Sequence, residues 1–340
     1  MYVLGVESSC DESAISILKI TDRVEIIFEA ISSQIDLHAQ YGGVVPELAA
    51  REHLKNLPLL FNKAQQELDS RSIKLDLIAA TRGPGLKGCL LIGYEFAKGL
   101  ALGRNIDLIG VNHIEAHIHA AKLSSADLTF PFLALVVSGG HTELVYVQDL
   151  GVYQIIARTQ DDAAGEAFDK SANLLGFEYP GGAALAKLAD SCSSSTFNLP
   201  KVMRESEGFS FSGLKTAISL LIKKNNDLLS QEGARAELAH AIQESIVDAL
   251  VYKTKKAAAD LNIKSITATG GVACNRRLRE RLLNEFDLPV VFPEPKHCVD
   301  NASMVALVGA ERFRKFGGGL YHQEVLARWP VESMGADNNA

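Results

Sequence analysis

A strand-turn-strand pattern occurs twice in this chain, about 130 residues apart. Residues 3–17 read VLGVESSCDESAISI, and residues 134–148 read ALVVSGGHTELVYVQ. Each is an apolar run, a tight turn of small polar residues, and a second apolar run. In register, Glu12 falls opposite Glu143, and Ser8-Ser9 opposite Gly139-Gly140. The parallel continues downstream. Leu77 to Ala80 reads as a strand, RGPGLKG as a turn and CLLIGYEFAKGLAL as a helix; Ser265 to Ala268, TGG and VACNRRLRERLLNEF repeat that order. Two further strands, DLIGV (107–111) and LPVVF (288–292), lead into the helices NHIEAHIHAAKL and NASMVALVGAERF. Such alternation implies sheets with helices packed on their faces. A repeat of this length implies two similar halves with a cleft between them, where nucleotides and other small ligands bind.

With 340 residues the chain is past the size of a single growing core. The expected division is an N-terminal domain at 1–129, a C-terminal domain at 130–330 carrying an insertion, and a polar, frayed tail at 331–340. Residues 47–68 keep apolar positions at helical spacing despite Pro58. The Gly- and Ser-richer stretch 150–205 reads as the insertion, and 233–261 as one or two long helices.

Composition excludes several classes. Hydrophobic residues make up 47% and charged residues 22%, the profile of a soluble globular protein. No apolar run approaches the ~18 residues of a membrane span. The N-terminus MYVLGVESSCDE lacks the basic start of a signal peptide. Five cysteines, far apart and without a CxxC pair, argue against a disulfide framework or a cysteine-based zinc site, and fit a reducing cytoplasm. A net charge of −7 gives no global attraction to nucleic acid, which leaves a local basic surface or a basic partner as the sources of any such attraction.

The sharpest chemical motif is His113-Ile114-Glu115-Ala116-His117. Residues four apart share a helix face, so both imidazoles can reach one ion. The alternative is a plain polar helix face. Position favours the metal: the corresponding helix of the second half opens with Asp300-Asn301, so halves that face each other would bring Asp300 across the cleft. Two imidazoles and a carboxylate with open positions suit iron(II) or zinc. A zinc peptidase is excluded, because HExxH puts its glutamate one residue after the first histidine. Glu115 comes two residues after, rotated about 200° around the helix. His119 reads as a surface or capping histidine.

Ser138-Gly139-Gly140-His141-Thr142 lies between two apolar strands, where bare amides can bind phosphate or carboxylate oxygens; otherwise it is a simple hairpin turn. Gly270-Gly271 with Asn275 permits close approach of a nucleoside, with Asn275 bonding to a ribose or base edge. Gly181-Gly182 is a third turn of this kind. Asp11 and Glu12, on the first hairpin, are candidate general bases or simply solvated turn residues. Asp169 precedes Lys170, where an ion pair is the ordinary reading. Cys10, Cys274 and Cys298 read as buried small residues.

Taken together, GVESSCDES, the HIEAH helix, VVSGGHTEL, DDAAGEAFDKSANLLGFEYPGG, FSFSGLKTA, GGVACNRRLR and CVDNASM resemble the universal tRNA adenosine threonylcarbamoyltransferase family, TsaD. The resemblance runs in order from about residue 2 to about 328. It implies the α/β actin-like ATPase fold of sugar kinases and Hsp70, two duplicated domains facing each other across a nucleotide cleft. It implies transfer of a threonylcarbamoyl group from threonylcarbamoyl-AMP to the exocyclic amine of the adenosine beside the anticodon, in tRNAs that read ANN codons. The family's metal ligands match His113, His117 and Asp300, with iron(II) the usual ion and zinc an alternative. Its substrate-binding positions match Val136, Val137, Ser138, Gly139, Gly140, Asp169, Gly182 and Asn275. Asp11 and Glu12 remain the candidates for taking up the amine proton. Two departures from the family pattern, Ala183 in place of proline and Ser8 and Ser13 in place of threonines, keep size and polarity.

Partners implied by the resemblance are tRNA, a catalytically inactive paralogue and a small ATPase, in the cytoplasm and away from membranes. Arg276, Arg277, Arg279 and Arg281, with Lys253, Lys255 and Lys256, are the candidate tRNA contacts, or else a solvated helix face. Two rival readings stand beside this one. A small-molecule kinase of the same fold would have no use for the histidine pair, and a non-catalytic scaffold should lack the metal ligands.

Overall fold

The computed structural model describes residues 1–125, 127–200, 207–225, 228–231, 233–318 and 323–335. In chain order it begins with β1 (Tyr2–Glu7), β2 (Glu12–Ile20), β3 (Val24–Ser33), α1 (Ile35–Ala39), α2 (Pro46–Ser70), β4 (Leu77–Gly83), α3 (Lys87–Arg104), β5 (Asp107–Asn112) and α4 (His113–His119). It continues with β6 (Phe132–Val137), β7 (Thr142–Asp149), β8 (Val152–Arg158), α5 (Ala164–Leu174), α6 (Gly182–Ala189), α7 (Ser212–Lys224) and α8 (Ala234–Asp260). Last come β9 (Ser265–Thr269), α9 (Arg276–Glu285), β10 (Val290–Val291), α10 (Pro295–Cys298) and α11 (Ala302–Phe316).

The strands form two five-stranded sheets with orders β3-β2-β1-β4-β5 and β10-β9-β6-β7-β8. These orders are the same once the halves are aligned, β1 with β6 and β4 with β9. In each, the hairpin is antiparallel and the next strand adds in parallel on the other side, β4 to β1 and β9 to β6. The repeat seen in the sequence is thus a repeat of topology. The edge strands β3 and β8 complete it, and no sequence landmark had marked either.

By internal contacts the chain divides into two compact units, one of Met1–Ser125, Asp149–Tyr153 and Pro293–Ala340, the other of Ala126–Gln148 and Gln154–Phe292. Helices α10 and α11, which the duplication assigns to the second half, therefore belong to the first unit. The first sheet is buried on both faces, which is why β1 is an unbroken apolar run. Val3, Leu18, Leu77 and Val111 pack on one side with Ala116 of α4 and with Met304, Val305 and Val308 of α11. Leu4, Val6, Ile15 and Ile78 pack on the other with Leu57 and Leu60 of α2 and Tyr94 and Ala97 of α3. Successive residues of a strand point to opposite faces, so Val3 and Leu4 serve different cores. Gly309 lets α11 lie close on the sheet, since a Cβ there would sit 2.3 Å from Ala79 Cβ.

The 150–205 stretch does more than insert: it supplies β8, α5 and α6, while residues 201–206 lie outside the described residues. The long helix over 233–261 is the single helix α8. The expected frayed tail is in part folded: Val331–Gly335 form a 3-10 turn with Val331 and Met334 buried, and residues 336–340 lie outside the described residues. Among the described residues no helix is long and apolar enough to cross a membrane.

Candidate metal centre and substrate-binding turns

Helix α4 starts at the first ligand candidate because Asn112 caps it. The Asn112 Oδ1 accepts from the N–H groups of Ile114 and Glu115, and its Nδ2 donates to the Trp329 carbonyl. Helix α11 starts in the same way, its cap falling one residue after Asp300. Asn301 Oδ1 accepts from the Met304 N–H, and its Nδ2 donates to the carbonyls of His297 and Val299. Side-chain caps satisfy the orphan amides of a first turn and fix where the helix begins. Two asparagines thus hold the backbone beside His113 and beside Asp300.

The three side chains converge. His117 Nε2 lies 3.0 Å and His113 Nε2 3.5 Å from the same oxygen, Asp300 Oδ1. The imidazole rings are 4.7 Å apart and close to perpendicular. One ligand atom from each residue falls within 4.8 Å of the other two, compact enough for one ion. Both histidines are buried and Asp300 is partly exposed. The sequence expectation brought Asp300 from the opposite half; in the structure it reaches the histidines from within the first unit, carried there by α11.

Glu7 was missed in the sequence and completes the site. Fully buried at the end of β1, it accepts from the Ser9 N–H, from the Thr81 hydroxyl and, at 3.2 Å, from His113 Nδ1. That leaves Nε2 of His113 facing Asp300. A carboxylate behind a histidine ligand is a recurrent feature of metal sites, because it fixes the ring's tautomer and direction. The signal was available: a lone carboxylate closing an apolar strand must find a buried partner. Burial opposes ionisation of Glu7, but the His113 charge and hydrogen bond outweigh it and lower its pKa. Burial likewise opposes the His113 cation, yet Asp300 and Glu7 carry its pKa up to about 9. Burial, reinforced by the Asp300 and Asp11 carboxylates, pushes Glu12 up to about 9. Glu7, Asp11, Glu12 and Asp300 thus put four carboxyl groups beside two imidazoles, and a divalent cation there would favour their ionised forms. The donor set fits iron(II) or zinc.

The glycine turns gather in the second unit. The turn between β6 and β7 is closed by a hydrogen bond from the Ser138 N–H to the His141 carbonyl, with Gly139 and Gly140 exposed. Gly165, at the start of α5, donates its N–H to the Ser138 carbonyl. Gly270 sits in the left-handed region at φ +91°, and a Cβ there would come 2.3 Å from the Val137 carbonyl oxygen. The Val136–Gly140 segment, α5 and the 270–275 turn are thereby packed together. Asp169 does not pair with Lys170, whose ammonium goes to Asp162 and Glu166. Its Oδ1 accepts instead from the Gly182 N–H at 2.7 Å, and burial raises its pKa. Asn275 caps α9 through Leu278 and donates to Gln243 at 2.7 Å.

A model of the family described as tRNA N6-adenosine threonylcarbamoyltransferase, TsaD, matches residues 25–307. The chain is 43% identical to the tRNA N6-adenosine threonylcarbamoyltransferase of Syntrophus aciditrophicus over 99% of both chains. It is 42% identical to that of Nitrosomonas europaea, covering 98% of this chain and all of the relative. The chain belongs to the TsaD family. The TsaD chain also shares its fold with distant solved structures. One is component A of the Acidaminococcus fermentans (R)-2-hydroxyglutaryl-CoA dehydratase, at TM-score 0.54 and 16% identity, covering 92% of this chain and 98% of that one. Another is HypF in its phosphate- and nucleotide-bound form, at TM-score 0.62 and 13% identity, covering 94% of this chain and 47% of that one. At such identities the likeness is one of fold, the actin-like ATPase fold expected from the motifs.

Other sequence readings of this TsaD chain need correction. His119 is not a surface residue and its side chain makes no cap: it is fully buried, with Nε2 3.0 Å from the Tyr153 hydroxyl. Cys298 is buried as expected, whereas Cys10 is half-buried and Cys274 exposed. The α9 arginines face acids: Arg276 pairs with Asp190 and Glu280, Arg277 with Glu244, and Arg281 with Glu244, Asp248 and Glu285. Arg279 donates to the Ala273 carbonyl and lies over the Phe292 ring. Lys255 pairs with Glu285, and Lys253 is buried.

Proposed function

We propose that this chain transfers a threonylcarbamoyl group from threonylcarbamoyl-AMP to the exocyclic amine of the adenosine beside the anticodon, in tRNAs that read ANN codons. The observation that carries the reading is the convergence of His113 and His117 on one oxygen of Asp300, in a chain that matches tRNA-modifying relatives over nearly its whole length. A kinase of the same fold gives no role to that triangle.

In this reading His113, His117 and Asp300 hold one divalent ion, iron(II) or zinc. When bound, it supplies Lewis-acid polarisation of a carbonyl group, which an aromatic amine needs because it is a weak nucleophile. Glu7 keeps the His113 ring aimed. Backbone amides from Val136 to Gly140 bind the adenylate phosphate, and Asp169, Gly182 and Asn275 hold the rest of the donor. Holding both reactants in place removes much of the entropic barrier. A bond forms between the adenosine nitrogen and the carbamoyl carbon, and the bond from that carbon to the phosphate oxygen breaks. AMP leaves with the electron pair. The amine proton passes to Asp11, or to Glu12 provided that a bound cation lowers the Glu12 pKa from about 9.

The acidic chain works, in this reading, in the cytoplasm and together with an inactive paralogue and a small ATPase. The test is reconstitution with tRNA and threonylcarbamoyl-AMP, scored by mass spectrometry of the digested tRNA. Modified adenosine should appear with the partners present and disappear on His117→Ala. Full transfer by the His117→Ala chain would refute the metal-centred reading, and rapid transfer by the chain alone would refute the dependence on partners.

A further inference from the structure

We infer that the buried ion pair between Glu115 and Arg312 sets the register between α4, which carries His113 and His117, and α11, whose start Asp300 immediately precedes, making both of them positioning residues for that centre. The inference rests on the metal reading proposed above. His113 and His117 present one side of α4 to Asp300, and Glu115, between them in sequence, points elsewhere. Its carboxylate is fully buried and accepts from Arg312 Nη1 at 3.0 and 3.3 Å. The Tyr153 hydroxyl, in the 149–153 segment of the same unit, donates to the same carboxylate at 2.7 Å and meets His119 Nε2 at 3.0 Å. Arg312 is on α11, twelve residues after Asp300.

Glu311 of α11 makes a second, partly exposed polar contact, 3.7 Å from His119 Nδ1 and 3.0 Å from the Lys122 ammonium just past α4. The remaining contacts are apolar and made by small or branched side chains, among them Ala116, Val305 and Val308. Contacts of that kind are non-directional. They hold two helices together while tolerating a slide along the axis, and each residue of slide moves Asp300 by ~1.5 Å. That is half the present 3.0 Å contact between Asp300 and His117. A buried ion pair is a poor device for stability alone, because desolvation consumes its attraction. Its directional hydrogen bonds instead admit one register. The glutamate that is misplaced for peptidase chemistry thus acquires a role from its misplacement.

The test is a cobalt(II) titration of the full chain, following the visible d–d bands for affinity and coordination geometry, with circular dichroism to confirm folding. The variants are Glu115→Asp, which keeps both charges but shortens the reach, and Glu115→Gln/Arg312→Met, which removes the pair and leaves no lone buried charge. The expected result is folded protein with a cobalt Kd weakened by roughly tenfold or more, as for other residues that orient metal ligands, and with altered bands. Either variant folding and binding cobalt with the wild-type Kd and spectrum would overturn the inference. A wild-type chain whose cobalt uptake is unaffected by His113→Ala would overturn the metal reading itself, and this inference with it.

Discussion

Glu7 Oε2 lies 3.2 Å from Nδ1 of His113, across the ring from the nitrogen that faces Asp300. The relationship makes Glu7 a test of the centre without touching a ligand. Glu7→Gln keeps the shape and replaces the charged acceptor with a neutral one. Divalent-metal affinity, measured by calorimetric titration, should fall by about 10- to 100-fold. Unchanged affinity would reduce Glu7 to a structural residue.

Two glycines of the turns proposed to hold the adenylate should behave differently. Gly270→Ala forces a side chain into a left-handed backbone and against the Val137 carbonyl, and should cost about 1–3 kcal/mol in chemical denaturation. A Cβ at Gly139 meets nothing within 4 Å, so Gly139→Ala should change stability by less than about 0.5 kcal/mol. It should nevertheless weaken AMP binding, because it narrows the approach to the backbone. Normal AMP binding by a stable Gly139→Ala chain would remove the turn from the donor site.

Acid stability should depend on Glu29. Burial works against its charge, but hydrogen bonds from His297 and Ser303, and the nearby charges of His297 and Lys296, lower its pKa from 4.5 to about 2. A folded pKa below the unfolded one means stability present above about pH 4.5 and lost as pH falls toward 2. The contribution at neutral pH is roughly 3 kcal/mol at most. Glu29→Gln should therefore flatten the acid limb of a pH-dependent denaturation series, with wild type and variant converging near pH 2. Parallel curves would contradict this.

The arginines of α9 should matter more to the fold than to tRNA. Arg277 and Arg281 are engaged by Glu244, Asp248 and Glu285. An arginine that neutralises a phosphate contributes about one unit to the salt dependence of binding. Arg277→Ala should change the slope of log Kd for tRNA against log salt by less than one unit. A full unit lost would return these side chains to the tRNA surface.

The duplicated hairpins were legible because apolar runs and turn residues are local signals, and the repeat of strand, glycine turn and helix located β4 with α3 and β9 with α9. The i, i+4 histidines were legible for the same reason. What the sequence hid was non-local. Strand β3 is half-buried over most of its length, and its short apolar run Ile26 to Phe28 is bounded by Glu25 and Glu29. Asp300 was named as the third candidate ligand and does lie beside both histidines, but its route to them depends on α11 packing against the first sheet, which periodicity cannot convey. Glu115 and His119 were judged by what their spacing excluded, and the partners that bury them, Arg312 and Tyr153, are distant in sequence. Glu280 and Glu285 lie on α9 itself, but Glu244 and Asp248 come from α8 and Asp190 from the end of α6, so a row of cations looked freer than it is.

Metal analysis of the purified chain beside its His113→Ala, His117→Ala and Asp300→Ala forms tests the central claim most directly. The triangle predicts one tightly held divalent ion per wild-type chain, lost in all three variants together with tRNA modification. Variants that keep both the ion and the activity would contradict it.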